Sequence, residues 1–281
     1  MEFFEVKKSI LKEIYKKRDP WSRKYNFGHL LVIGGSRNYS GSPAFNALAA
    51  LRAGVDLVTI VAPERAANII VSFKPDLIAY PLKCDYFSPK NLKEVLKFIE
   101  KKDAVVIGGG MTRSEKVVKF ILEFLKQVEI PCVIDADAIH ALAKDRSVIR
   151  GKKVIVTPHS YEFFILSGKK VGSDVEERVR EVRNLASEMN CVILLKGHVD
   201  VISDGENIAV NTTGSPYMTK GGMGDTLAGI CGAYLARGIN PFKAACAAAW
   251  VNGKAGELAA KKYKESLIAS DIINEIPNVI K

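Results

Sequence analysis

FGHLLVIGGSRNYSGSPAFNALAALRAGVDLVTI, residues 27–60, places the apolar run HLLVIGG (29–35) and the start of LVTIVAP (57–63) on either side of a helical pattern at 43–53. Strands that are apolar throughout, with helices between them, belong to a mainly parallel sheet covered on both faces. The rest of the chain repeats this unit. DLIAYPL (76–82), AVVIGGG (104–110), CVIDAD (132–137), VIVTPH (154–159) and VILLKG (192–197) alternate with helical patterns at 64–72, 89–101, 113–127, 136–143, 159–167 and 174–188. VDVIS (199–203) and NIAVN (207–211) form a terminal strand pair turned at Asp204-Gly205, a tight-turn dipeptide.

The last third is helical. Leu227, Ile230, Cys231, Tyr234 and Leu235 fall on one helical stripe, and Gly238 is placed to end that helix. Asn240-Pro241 then opens an alanine-rich helix in which Gly253 and Gly256 are expected to permit close packing. Neither a Pro/Gly/Ser-rich linker nor an internal repeat interrupts the rhythm. One α/β domain is expected over residues 1–281, with residues 1–25 as an amino-terminal helical extension.

Composition narrows the function classes. The 281 residues are 48% apolar, enough for a substantial core, and 41 basic against 31 acidic residues give a net charge of +10. Such an excess favours anionic partners. The cations, however, lie in KKSILKEIYKKR, KNLKEVLKFIEKK and KKYK, mostly on amphipathic helices without interleaved aromatic residues. That is the pattern of solvated faces rather than of a nucleic-acid groove. Five widely spaced cysteines without a C-x-x-C pair argue against a zinc site or a disulfide framework. The charged amino terminus is unlike a secretory signal, and no apolar span approaches the ~20 residues of a membrane helix. A cytoplasmic protein is expected.

In open parallel sheets ligands bind beyond the carboxyl ends of the strands. Here those ends carry GGSRNYSGS, GGGMTRS, DADAIH, TPHSYE and KGHVD, which together outline one cleft. Familiar phosphate motifs fail: Gly108 and Gly110 fit a dinucleotide fingerprint but Arg113 stands at its third glycine, and Lys220 lacks the preceding glycine of a P-loop. What remains is TKGGMGDTLA (219–228), in which Gly221, Gly222 and Gly224 open a helix and Asp225 follows. Amides there would hold the negative charge of a phosphoryl group in transfer. Asp225 is either the base that takes a proton from an attacking hydroxyl or simply a helix cap, and the pattern alone leaves both open.

With these residues assembled, the chain resembles the ribokinase-like superfamily, a three-layer α/β/α fold with a mainly parallel central sheet. Within it, it is similar to the ADP/ATP-dependent NAD(P)H-hydrate dehydratases. The likeness spans roughly residues 18–275 through the opening stretch, VVIGGGMTRSE, PCVIDADAIHALA, VIVTPHSYEF, ILLKGHVDVI and TTGSPYMTKGGMGDTLAGI. The resemblance implies repair of hydrated NADH or NADPH: a phosphoryl group from ADP or ATP, with Mg²⁺, is placed on the added hydroxyl, and phosphate then leaves. It makes Asp225 the base and Gly221, Gly222 and Gly224 the anion hole. Lys196, Gly197, His198, Val199, Asp200, Ser215, Lys220 and Gly224 would hold the nucleotide. Ser42, Ala44, Gly110, His159 and Asp225 would contact the substrate, and Glu162 would assist Mg²⁺ through water.

Two departures stand out: Gly108-Gly109-Gly110-Met111-Thr112 replaces the G-P-G-L-G turn of relatives, which should loosen it, and Lys220 replaces a small residue. The resemblance also implies a homotetramer working beside a separate epimerase, with this chain performing the dehydration alone. The alternatives are a small-molecule kinase of the same fold, acting on a thiazole or pyrimidine alcohol, and a nucleotide-binding protein without turnover.

Overall fold

The computed structural model describes residues 2–281. The strands are β1 (Phe4–Glu5), β2 (His29–Ile33), β3 (Leu57–Pro63), β4 (Ile78–Leu82), β5 (Ala104–Ile107), β6 (Cys132–Ile134), β7 (Val154–Val156), β8 (Val192–Leu195), β9 (Asp200–Ser203) and β10 (Ile208–Asn211). They form a single sheet in the order β1-β10-β9-β8-β7-β6-β5-β2-β3-β4. Neighbours from β4 across to β8 are parallel. β9 runs antiparallel to both β8 and β10, which is the expected terminal pair.

The helices are α1 (Leu11–Ile14), α2 (Gly41–Arg52), α3 (Glu64–Ile70), α4 (Leu92–Leu96), α5 (Glu115–Gln127), α6 (Asp137–Leu142), α7 (Ser160–Ser167), α8 (Val175–Met189), α9 (Met223–Ala236), α10 (Pro241–Tyr263) and α11 (Ala269–Val279). They lie on both faces of the sheet, because successive strand residues point to opposite sides. In β2, Leu30 and Val32 join a core with Ala44, Leu227 and Ile230, while Leu31 and Ile33 join another with Phe120, Ile139 and Phe163. Leu30, Leu31 and Val32 are completely buried. Burial of each such side chain contributes about 1.5–3 kcal/mol. A strand with no polar alternation is stable only with helices on each face.

Two expectations are corrected. The amino-terminal segment is helical only over Lys8–Ile14, and Phe4–Glu5 instead pairs in parallel with β10. Tyr15 ends the helix as its C-cap, with its hydroxyl 3.0 Å from the Ala53 carbonyl and 2.8 Å from the Tyr234 hydroxyl. The helix expected at 89–101 is broken into 3-10 turns at Pro89–Asn91 and Lys97–Ile99 around the short α4. Pro89 starts it from a Ser88 cap, and Glu100 ends it in extended geometry. The packing expected of Gly253 and Gly256 is present. A Cβ at Gly253 would lie 2.1 Å from Thr213 Oγ1, and one at Gly256 would lie 2.1 Å from Met218 Sδ.

The winding direction reverses at β2, which has β3 on one side and β5 on the other. The loops that follow β2 and β5 touch, with Gly35 N–H donating to the Gly109 carbonyl at 2.8 Å. Over this point α2 and α9 cross closely. A Cβ at Gly229 would lie 2.2 Å from the Asn46 carbonyl oxygen, which is backbone and cannot swing aside. Gly229→Ala is therefore expected to destabilise the protein by about 1–3 kcal/mol through overpacking. Thermal or denaturant unfolding checks this, and an unchanged midpoint would show that the two helices have slack.

Candidate active site

α9 begins at the glycine cluster, and Gly222 is its N-cap with φ 92°, in the left-handed region that favours glycine. A Cβ at Gly222 would also meet Ala269 and Phe45 within 3 Å, whereas one at Gly221 would meet nothing within 4 Å. The loop is thus tight beneath and open above. The first N–H groups of a helix have no acceptor within it and carry the positive end of its dipole, so this opening suits an anion.

Asp225 stands inside the first turn of α9 and does not cap it. Its carboxylate accepts from the Ser42 hydroxyl on α2, and its backbone carbonyl accepts from Asn46 Nδ2 at 2.7 Å. Of the two roles left open by the sequence, the N-cap position is occupied by Gly222, and the Asp225 carboxylate is turned to Ser42. Burial, reinforced by Asp135, pushes the Asp225 carboxyl up to about 7, against the opposing pull of Ser42 and Lys196. A carboxyl poised near neutrality suits proton exchange at physiological pH.

Lys196, just past β8, reaches into the same space. Its ammonium is 3.1 Å from Asp135 and 3.8 Å from Glu162, and a Cβ at Gly224 would lie 3.2 Å from it. Burial works against its charge, but Asp135 and Glu162 more than offset this and hold its pKa above the ordinary lysine value. Asp135 is only 3% exposed and also accepts from Thr157 Oγ1 at 2.7 Å. Three carboxylates, one just past β6 and one each on α7 and α9, therefore share one ammonium.

The remaining expected residues are placed as follows. Gly197 and His198 are exposed. Asp200 is spent on the loop itself: it accepts from Gly197 N–H at 2.9 Å and Asn211 Nδ2 at 3.0 Å. Buried Arg178 clasps the same loop through the Lys196 and Val199 carbonyls, at 3.2 Å and 3.4 Å. Ser215 caps a short 3-10 turn. Lys220 does not face the anion hole. Its ammonium donates to the Glu265 carbonyl, in a 3-10 turn whose last carbonyls lack helical partners.

On the substrate side, Ser42 and Gly110 lie at the α2 and β5 ends of the cleft, while Ala44 is buried and offers a ligand no side chain. His159 Nδ1 caps α7, accepting from the N–H groups of Tyr161 and Glu162 at 3.1 Å and 3.3 Å. Its other ring nitrogen lies 3.4 Å from Glu162. Glu162 in turn accepts from His159 N–H at 2.8 Å and is buried.

Asp135 and Asp137, omitted by sequence reasoning, are central. Asp137 accepts from Thr112 N–H and Arg113 Nε, each at 2.8 Å, and so pins the turn after β5 in which Thr112 has φ 75°. The turn expected to be loose without its proline is tied down from α6. The only hint was DADAIH at a strand end.

A family model described as NAD(P)H-hydrate dehydratase matches residues 30–278. The chain belongs to this family. A dehydratase-family relative from Pyrobaculum aerophilum, a bifunctional NAD(P)H-hydrate repair enzyme Nnr, is 44% identical over 92% of this chain and 52% of its own. The ADP-dependent (S)-NAD(P)H-hydrate dehydratase of Cenarchaeum symbiosum is 37% identical over 95% of this chain and 92% of its own. The chain spans about half the length of several bifunctional relatives. Among solved structures, the Bacillus subtilis ADP/ATP-dependent NAD(P)H-hydrate dehydratase co-crystallized with ATP/Mg²⁺ superposes with a TM-score of 0.85. It is 26% identical, over 99% of this chain and 98% of that one. The expected ribokinase-like, mainly parallel architecture of the dehydratase family is therefore present.

Lys196→Met would leave Asp135, Glu162 and Asp225 without their shared cation. Loss of one partner from a buried ion pair costs about 3 kcal/mol. The carboxyls would then bind protons more tightly in the folded than in the unfolded chain, so stability is lost as pH rises. Thermal melts are expected to show a Tm deficit against wild type that is larger at pH 8 than at pH 5. An equal deficit at both would separate Lys196 from the carboxylates.

Proposed function

We propose that the chain is an ADP- or ATP-dependent NAD(P)H-hydrate dehydratase, a hydro-lyase that restores NADH or NADPH from its hydrated form. The observation that carries this is the meeting of an open helix N-terminus at Gly221–Gly224 with a non-capping carboxylate at Asp225 whose pKa burial pushes up to about 7. Membership of the family supports the substrate.

Hydroxide is a poor leaving group, so elimination needs the hydroxyl converted to phosphate. Asp225 takes the hydroxyl proton as its oxygen attacks the terminal phosphorus of the nucleotide, and the phosphorus–oxygen bond to the nucleotide breaks. The α9 amides face the phosphoryl oxygens, where negative charge grows, and Lys196 adds a cation. Phosphate then leaves with the electron pair of its carbon–oxygen bond, the neighbouring ring carbon gives up the proton gained on hydration to water or to the departing phosphate, and the ring double bond reforms.

Magnesium would arrive on the nucleotide. Among the described residues no group of three metal-ligating side chains occurs, and Glu162 is committed to His159, so it fits only a water-mediated contact. Bound there, the ion would neutralise phosphate charge.

A second reading, a kinase that releases a stable phosphate ester of another alcohol, shares this geometry but not the family. The expected setting is the cytoplasm, as a homo-oligomer with the tetramer favoured, beside an epimerase acting on the same metabolite. An exposed Ile78 and Tyr80 on the edge strand β4 support self-association, and among the described residues no helix is long and apolar enough to cross a membrane.

Hydrated NADH incubated with Mg²⁺ and ADP or ATP is expected to regain the absorbance of reduced nicotinamide. No recovery, with phosphate appearing on a different alcohol, would favour the kinase. Asp225→Asn is expected to lower turnover by about 10²–10⁴-fold with nucleotide affinity little changed. Because the base must be ionised, kcat/KM is expected to fall as pH drops below about 7; a profile flat from pH 5 to 9 would remove Asp225 as the base.

A further inference from the structure

Ser42 occupies the second position of α2, and its hydroxyl donates to Asp225 Oδ1. A serine hydroxyl has one proton to give, so this bond uses its whole capacity as a donor. The residue is also confined from above. A Cβ at Gly109 would lie 1.8 Å from Ser42 Oγ, 3.0 Å from Ser42 Cβ and 3.1 Å from Asp225 Oδ1. Gly109 cannot retreat, because it is buried and its carbonyl holds the Gly35 N–H at 2.8 Å. The serine side chain is thus wedged between a strand-end peptide and the carboxylate.

The charged neighbours of Asp225 give that hydrogen bond its importance. Asp135 beyond β6 and Asp137 on α6 disfavour its ionisation, while Lys196 beyond β8 favours it but is shared with Asp135 and with Glu162 on α7. A donor fixed on the carboxylate stabilises its charged form and holds one oxygen in place.

We propose that Ser42 is a positioning residue for Asp225, rather than a substrate contact, and that Gly109 lacks a side chain to make room for it. This rests on Asp225 being the base. Ser42 fixes Oδ1, keeps the carboxylate ionised near neutral pH and leaves the second oxygen to receive the substrate proton.

The test compares wild type, Ser42→Ala, Gly109→Ala and the double variant, with hydrated NADH and saturating nucleotide across pH 5.5–9. Ser42→Ala is expected to shift the acid limb of kcat/KM upward by about one pH unit, with KM for hydrated NADH unchanged. Gly109→Ala, which displaces the hydroxyl, is expected to cause the same shift in the wild-type background and little further loss beside Ser42→Ala. A raised KM with an unmoved limb would overturn the proposal and make Ser42 a substrate contact. Additive penalties would overturn the link to Gly109.

Thermal melts give a readout that needs no turnover. Asp225 has a raised pKa in the fold, so its ionisation subtracts stability as pH rises toward that pKa, and without Ser42 this loss continues to higher pH. The Tm gap between wild type and Ser42→Ala is expected to widen above pH 7, and a constant gap would count against the proposal. Should wild type fail to restore hydrated NADH at all, the dehydratase reading falls, while the melts still judge the bond between Ser42 and Asp225.

Discussion

The close crossing of α2 over α9 is the constraint on which the site depends. It requires Gly229 beneath Asn46, and it delivers Asn46 Nδ2 to the Asp225 carbonyl and the Ser42 hydroxyl to the Asp225 carboxylate. α2 follows β2 and α9 begins at the glycine cluster, far away in sequence. Their contact sets a carboxylate beside a helix terminus at the point where the sheet winding reverses. An acid beside an anion site is repulsive in isolation. Here it persists because Ser42 and Asn46 orient it and the Lys196 ammonium offsets part of its charge.

That one cation is shared. Lys196 serves Asp135 and Glu162 directly and Asp225 at longer range, and Asp137 holds the β5 turn. Each acid comes from a different element, and each stands just beyond a parallel strand or in the first turn of a helix. Parallel strands bring such positions to one edge, so a cluster of charge needs no local sequence motif.

Much of this was legible in the sequence. The uninterrupted apolar runs gave the sheet, because strands buried on both faces cannot alternate, and TKGGMGDTLA marked the open start of α9. The breaks in legibility have physical causes. Asp135 and Asp137 look like ordinary strand-to-helix turn residues until the fold sets Lys196 and Thr112 against them. Lys220 looked suited to phosphate but found a backbone carbonyl of the segment between α10 and α11. Tyr15, at the end of the first helix, meets the hydroxyl of Tyr234 on α9. Each of these partners is distant along the chain, and spacing patterns carry no information about them.

The two glycines of α10 have a consequence for motion. Thr213 and Met218 sit directly on bare helix backbone at Gly253 and Gly256, one turn apart, so the segment that leads through the Pro216–Met218 turn to the glycine cluster rides on a rail cut into a 23-residue rod. A loop seated against flexible side chains can drift with them. One notched into a helix main chain is held by the stiffer part, and the segment that leads to Gly221 is anchored at Thr213 and Met218.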